Sequence, residues 1–135
     1  MKSITLEANA KLNIGLSIYN QRSNGFHEIS SHFQEINWSD NIKITLDNTS
    51  KINLEVTGIS VPNDDNNVCV QAALLFNEKY NIECGVSIHL AKNIPIGAGL
   101  GGGSSDAATV IRGLYKLHGI TFSNIDAVEL CKKIG

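Results

Sequence analysis

GAGLGGGSSDAATV, residues 97–110, decides how this chain is read. Glycines at 97, 99 and 101–103 lead into Ser104, Ser105 and Asp106 and then into apolar residues at helical spacing. Glycine tolerates positive φ and lets a ligand approach the backbone closely. A glycine loop that feeds a helix offers free N–H groups and the positive end of the helix dipole, and both favour an anion. The two serines add hydroxyl donors at the same end. These features describe a phosphate cradle.

Three phosphate-binding designs compete for it. The P-loop pattern closes its glycine run with Gly-Lys-Ser/Thr, and no lysine stands there, so that design is set aside. A dinucleotide fingerprint is matched literally by Gly97, Gly99 and Gly102, although a run this rich in glycine satisfies many such patterns. The residues KNIP, 92–95, also separate the preceding strand from the first glycine, and a βαβ start is lacking. The third design is taken up below.

Working outward, KLNIGLSIY (11–19) alternates Leu12, Ile14, Leu16 and Ile18 with polar or small residues, the period of a half-buried strand. The alternation sets Lys11 and Asn13 on one face. Asn24-Gly25 signals a turn, and HFQEINWSDNIKITL and KINLEVTG supply further strands around the polar DNTS. PNDDNN (62–67) is a loop before a helix over 68–80, with Ala72, Leu75 and Phe76 on one face. A strand over 86–90 follows. A second helix is predicted from about Ser105 to His118, with Ala108, Ile111, Leu114 and Tyr115 inward, and Ser123 caps a third. Strands first, then mixed β and α elements, predict an α+β fold.

Composition narrows the classes. The 135 residues are 42% hydrophobic and 18% charged, with a net charge of −2, as in an ordinary globular domain. That charge points to neither nucleic acid nor a membrane surface as partner. Cys69, Cys84 and Cys131 are too scattered for a zinc site and read as small hydrophobes in a reducing compartment. Glu7 and Lys11 interrupt any signal peptide, and no run approaches a membrane span, so the expected location is cytoplasmic. His32, His89 and His118 read as structural.

Pro95 through Ala108 resembles the ATP-binding motif of the GHMP kinases, small-molecule kinases unrelated to P-loop enzymes. Ala10-Lys11-Leu12-Asn13-Ile14 and Asn24-Gly25-Phe26-His27-Glu28 resemble the signature of one branch, the 4-diphosphocytidyl-2-C-methyl-D-erythritol kinases of isoprenoid precursor biosynthesis. The fold implied is the GHMP-kinase N-terminal domain, of the ribosomal protein S5 domain 2-like type, spanning 1–135. The resemblance implies ATP as co-substrate, Mg²⁺, and 4-diphosphocytidyl-2-C-methyl-D-erythritol as the small-molecule substrate.

Residue by residue, it implies that Lys11 contacts the hydroxyl to be phosphorylated, with Asn13 beside it. His27 would hydrogen-bond the cytosine and Phe26 would stack on it. The family commonly has tyrosine at that position, so the ring face is kept and the hydroxyl lost. Asn67 and Lys92 would line the adenine end, against the plainer readings of a helix-start asparagine and an exposed lysine. Gly99, Gly101, Gly102 and Gly103, with Ser104 and Ser105, would wrap the phosphates, Pro95, Gly97, Leu100 and Asp106 would belong to the same ATP site, and Ser105 would reach the metal. Asp106 reads first as a first-turn acid stabilising the helix dipole, and second as an aid to Mg²⁺.

The resemblance also implies a catalytic aspartate in a segment beginning at Gly135, hence just past the last residue, and a second domain beyond it. The chain is therefore expected to be an N-terminal portion with negligible kinase activity alone. Apolar surface meant for the second domain would favour self-association at high concentration. Other GHMP kinases, a non-catalytic nucleotide-binding module and a dinucleotide-dependent oxidoreductase are the competing functions. The NGFHE segment speaks against homoserine or mevalonate as substrate, since neither carries a cytosine.

Overall fold

The computed structural model describes residues 2–21 and 27–134, and the side chains of residues 2–14 and 32–134. Its elements are β1 (Ser3–Gln21), β2 (His27–Asp47), β3 (Ile52–Gly58), α1 (Val68–Lys79), β4 (Gly85–Lys92), α2 (Gly102–His118) and α3 (Asn124–Ile134). The strands form one sheet in the order β1-β2-β4-β3. β1 and β2 pair antiparallel, as do β2 and β4, whereas β3 and β4 run parallel with α1 as their crossover. The α+β expectation holds.

Strand alternation builds the core. Ile42 and Ile44 of β2 and Val86, Ile88 and Leu90 of β4 point inward and are fully or almost fully buried. The helices cover that face: α2 packs on β1 and β2, α1 on β3 and α2, and α3 on α1 and α2. At Gly113 the helix comes so close that a Cβ would lie 2.6 Å from Ile44 Cδ1. Phe76 meets Tyr115 edge-on at 5.0 Å, and the Tyr80 and Tyr115 hydroxyls hydrogen-bond at 2.6 Å, tying α1 to α2. Ser123 Oγ accepts the Asp126 N–H at 3.2 Å, the expected cap on α3.

Three expectations are corrected. Helix α2 begins at Gly102, three residues before the predicted Ser105, because Gly101 takes a left-handed φ of 67° as N-cap and turns the chain into the helix there. Ala108 faces solvent, whereas its neighbour Ala107 is buried. Leu12 and Ile14 do not form the buried stripe of their strand, being 45% and 57% exposed. The reason is reach: β4 pairs with β2 only from Asn41 to Asp47, and the β1–β2 ribbon beyond the irregularity at Asn9/Lys11 runs on past that four-stranded part of the sheet.

Candidate active site

The glycine loop bridges β4 and α2. Gly97, Gly99 and Gly101 have φ of 70°, 74° and 67°, and this alternation of left-handed residues turns successive backbone amides into a concave nest. Helix α2 has no side-chain cap and no acid in its first turn. Its leading N–H groups, at Gly102 to Ser104, are the orphan donors of a helix start, because the helical ladder begins with the Ser105 N–H donating to the Gly101 carbonyl at 3.0 Å. The loop walls a cavity of about 420 Å³ that Val61, Pro62 and Val68 close from the other side. Apolar walls facing a row of amide donors suit a flat apolar group carrying an anionic tail.

Lys11 approaches the loop from β1. Its amide donates to the Leu100 carbonyl at 2.9 Å, and its Nζ donates to the Gly99 carbonyl at 2.9 Å. Its stem lies on Gly101, where a Cβ would stand 3.0 Å from Lys11 Cε. The ammonium is 5.5 Å from the centre of the Phe33 ring. Asn13, two residues on, keeps a buried Oδ1 that has no hydrogen-bond partner. Lys11 and Asn13 thus share a face, as alternation predicts, and that face carries both the ammonium and an unpartnered acceptor.

Beneath the loop lies a buried ionic cluster. Lys92 Nζ donates to Asp40 Oδ2 at 2.7 Å and to Asp106 Oδ2 at 2.9 Å, with all three side chains at most 4% exposed. Asp40 Oδ1 also accepts the Asn93 and Ile94 amides at 2.6 and 2.8 Å. Burial drives the Asp40 carboxyl up, but hydrogen bonds with Asp106, Lys92 and these amides outweigh it and hold it below the ordinary range. Burial, then a hydrogen bond shared with Asp40, pushes Asp106 up to about 7 despite Lys92. Burial opposes the Lys92 charge, yet its two carboxylate partners leave its pKa raised.

Two sequence expectations change here. Lys92 is not an exposed lysine: Val86, Ile88, Leu90 and Lys92 share one parity of β4, so the strand's inward stripe ends on it. Asp106 is not a first-turn acid, because the early start of α2 moves it into the second turn, facing Lys92. Asn67 is the N-cap of α1, as its plainer reading had it. Its Oδ1 accepts the Cys69 amide at 2.8 Å and its Nδ2 donates to the Pro62 carbonyl at 2.7 Å, so its amide is engaged even though it lines the cavity.

Pro95, Gly97, Gly99 and Leu100 line one side of the cavity, and Gly101 to Ser104 its helical end. Lys92 and Asp106 reach its floor. Ser105 is half-buried in the helix and does not line it. Phe26 and the His27 side chain lie outside the described residues. Asp40 and Phe33 were missed. Asp40 was legible, since it precedes Ile42 and Ile44 at the same parity, and one further step of the β2–β4 register sets it opposite Lys92. Phe33 pairs with Asn13 across β1–β2, a register that the sequence alone does not specify. Among the described residues, no three His, Cys, Asp or Glu side chains gather as a metal site, and no helix is long and apolar enough to cross a membrane.

Known proteins share this sequence and fold. The chain is 39% identical over 135 residues to the 4-diphosphocytidyl-2-C-methyl-D-erythritol kinase of Prosthecochloris aestuarii, covering all of this chain and 46% of that protein. It is 41% identical over 130 residues to the kinase of the same name from Caldicellulosiruptor saccharolyticus, covering 96% of this chain and 45% of that protein. The chain thus spans about half the length of the curated relatives it matches. A crystal structure of 4-(cytidine 5'-diphospho)-2C-methyl-D-erythritol kinase superposes with a TM-score of 0.77 at 34% identity, over 98% of this chain and 46% of that one. Homoserine kinase from Cytophaga hutchinsonii reaches 0.73 at 20% identity over 98% of this chain and 40% of that one, a likeness of fold alone. The model of the GHMP kinases N terminal domain matches residues 67–135, from the cap of α1 through the glycine loop to the chain's last residue. The glycine loop on its helix is thus a family feature, and the chain belongs to the GHMP kinases.

Proposed function

We propose that this chain forms the nucleotide side of a kinase that transfers the γ-phosphoryl group of ATP to the 2-hydroxyl of 4-diphosphocytidyl-2-C-methyl-D-erythritol. The observation that carries the reading is the nest of three left-handed glycines opening onto an uncapped helix start, with Lys11 hydrogen-bonded to the same loop. The names of relatives at about 40% identity supply the acceptor.

In this reading the amides from Gly99 to Ser104 hold the phosphates, and the apolar wall of Val61, Pro62 and Val68 takes the base, with Asn67 and Pro95 at its edge. Phosphoryl transfer relies on positioning and on spreading charge. The acceptor oxygen bonds to the γ-phosphorus as the bond to the bridging oxygen breaks, ADP leaves with that oxygen, and the hydroxyl proton passes to solvent. Lys11 leaves the Gly99 carbonyl to meet the charge growing between acceptor and γ-phosphate, and Asn13 orients the hydroxyl through its unpartnered Oδ1. The resemblance assigns the cytosine to Phe26 and His27, whose side chains lie outside the described residues. Mg²⁺ would be held mainly by oxygens of the bound nucleotide, because no carboxylate cluster gathers among the described residues and Ser105, the residue the resemblance assigns to the metal, stands outside the cavity lining. The ion would neutralise charge on the β- and γ-phosphates.

The test measures ADP release by the protein that carries this chain, with ATP, Mg²⁺ and each of three acceptors. Turnover with the diphosphocytidyl alcohol and none with homoserine or mevalonate is expected. Lys11→Ala should cut kcat far more than ATP affinity. Turnover of homoserine or mevalonate instead would assign the chain to another branch of the family.

A further inference from the structure

We propose that Asp40, Lys92 and Asp106 are positioning residues that hold the glycine loop in its anion-binding shape before a ligand arrives. This rests on the reading of that loop as a triphosphate cradle. The three side chains grip the loop at both ends. Asp40 accepts the amides of Asn93 and Ile94, the first two residues after β4. Lys92, the last residue of β4, binds Asp106 in the second turn of α2. The nine residues 93–101 between strand and helix are thereby closed at their base by one buried ionic cluster.

The cluster also sets how far the helix start descends. A Cβ at Gly102 would stand 3.0 Å from Lys92 Nζ and 2.9 Å from Ile94 Cγ2, so the first residue of α2 rests on the ammonium itself. Three separate segments, β2, β4 and α2, meet there. The small Ala8 of β1, paired with Asp40, leaves room for them. The remaining titratable neighbour is the Cys69 thiol of α1, which burial drives up and keeps neutral. Burying two carboxylates and one ammonium adds little net stability over an apolar cluster of the same volume, while removing one partner is costly. Such a cluster is better suited to fixing geometry than to strengthening the fold. Misplacing the cradle amides by about 1 Å would weaken ligand binding severely, which gives that geometry a use.

The test compares Asp106→Ala, Asp106→Asn and Leu130→Ala, the last a buried residue of α3, which packs on α1 and α2. Hydrogen-exchange NMR reads the Lys11 amide, whose acceptor is the loop carbonyl of Leu100. Urea brings all variants to equal global stability, so loss of stability alone does not separate them. Asp106→Ala should speed that exchange about tenfold relative to Leu130→Ala, and Asp106→Asn, which still accepts from Lys92, should restore most of it. Equal rates in Asp106→Ala and Leu130→Ala would overturn the proposal. If Asp106→Ala does not fold, Asp106→Ser, whose hydroxyl is too short to reach Lys92, serves in its place.

A second arm titrates inorganic triphosphate. Binding by the unsubstituted chain should weaken about tenfold in Asp106→Ala and hold in Leu130→Ala. Failure of the unsubstituted chain to bind would overturn the cradle reading, while the exchange arm still decides the positioning role. If triphosphate instead shifts the Lys92 ε-methylene signals as strongly as those of Gly101 to Ser104, the lysine is a ligand and the positioning role falls.

Discussion

The β1–β2 ribbon has two ends, built from the same alternation and put to opposite uses. At one end Asp40, Ile42 and Ile44 point under the helices and are completely buried, a charge included. At the other, past the irregularity at Asn9/Lys11, Leu12 and Ile14 stand 45% and 57% exposed on one face, and Phe33, 61% exposed, shares the other with Lys11 and the orphaned Asn13. A buried ionic cluster lies under the glycine loop. An open face with unfinished hydrogen bonds flanks it from the side. The contrast teaches that period-2 alternation tells which residues share a face, whereas coverage by the next layer tells which face is inside.

The sharpest way to break the comparison is Lys92→Met, which leaves two carboxyl groups buried against each other. It should cost about 3–5 kcal/mol in urea unfolding, a large share of a small domain's stability. A loss below about 1 kcal/mol would mean that the closed end is not closed. Next is Gly58→Ala. Its φ of 83° disfavours a side chain, and its Cβ would fall 2.2 Å from the Lys92 carbonyl oxygen. A loss of more than about 1 kcal/mol by thermal melting is expected.

The third prediction concerns pH. Asp106 titrates at its ordinary 3.8 in the unfolded chain and near 7 in the fold, so between these values the folded state holds more protons. Raising the pH from about 4 to about 7 therefore removes stability through this group. His118, lowered by burial and then by Lys2, works in the opposite direction, losing stability as pH falls through its unfolded value of 6.5. Urea midpoints of the natural chain and of Asp106→Asn at several pH values cancel the histidine. The stability of the natural chain relative to the variant should fall steadily across that window, and a flat difference would refute the raised pKa. Smallest of all, Ile14→Ser on the open end should change stability by no more than about 0.5 kcal/mol. A larger loss would show that this face is covered after all.

Much of the site was legible because its chemistry is local. A run of glycines, two serines and a helical pattern within fourteen residues specify a nest and a helix start wherever they occur, and AKLNI needs only strand alternation to set Lys11 beside Asn13. The cap residues Asn67 and Ser123 acted as their types predict. The start of α2 was misread by three residues because glycines weigh against a helix by propensity, while the left-handed turn at Gly101 fixes the start from outside. That shift changed the role of Asp106 from dipole partner to buried acid.

What local pattern could not supply was company. Residues 40, 92 and 106 share no motif, and each alone reads as a surface charge or a cap. Folding brings them to within 2.9 Å contacts where three elements meet, and there desolvation makes each partner obligatory for the others. The glycine loop and its family were already present in the order of residues, because hydrogen-bond donors and backbone freedom belong to short stretches of chain. Which lysine is buried, which apolar residues stay in water, and what the loop rests on were settled by layer packing. Burial is a property of neighbours, and these neighbours are distant in sequence.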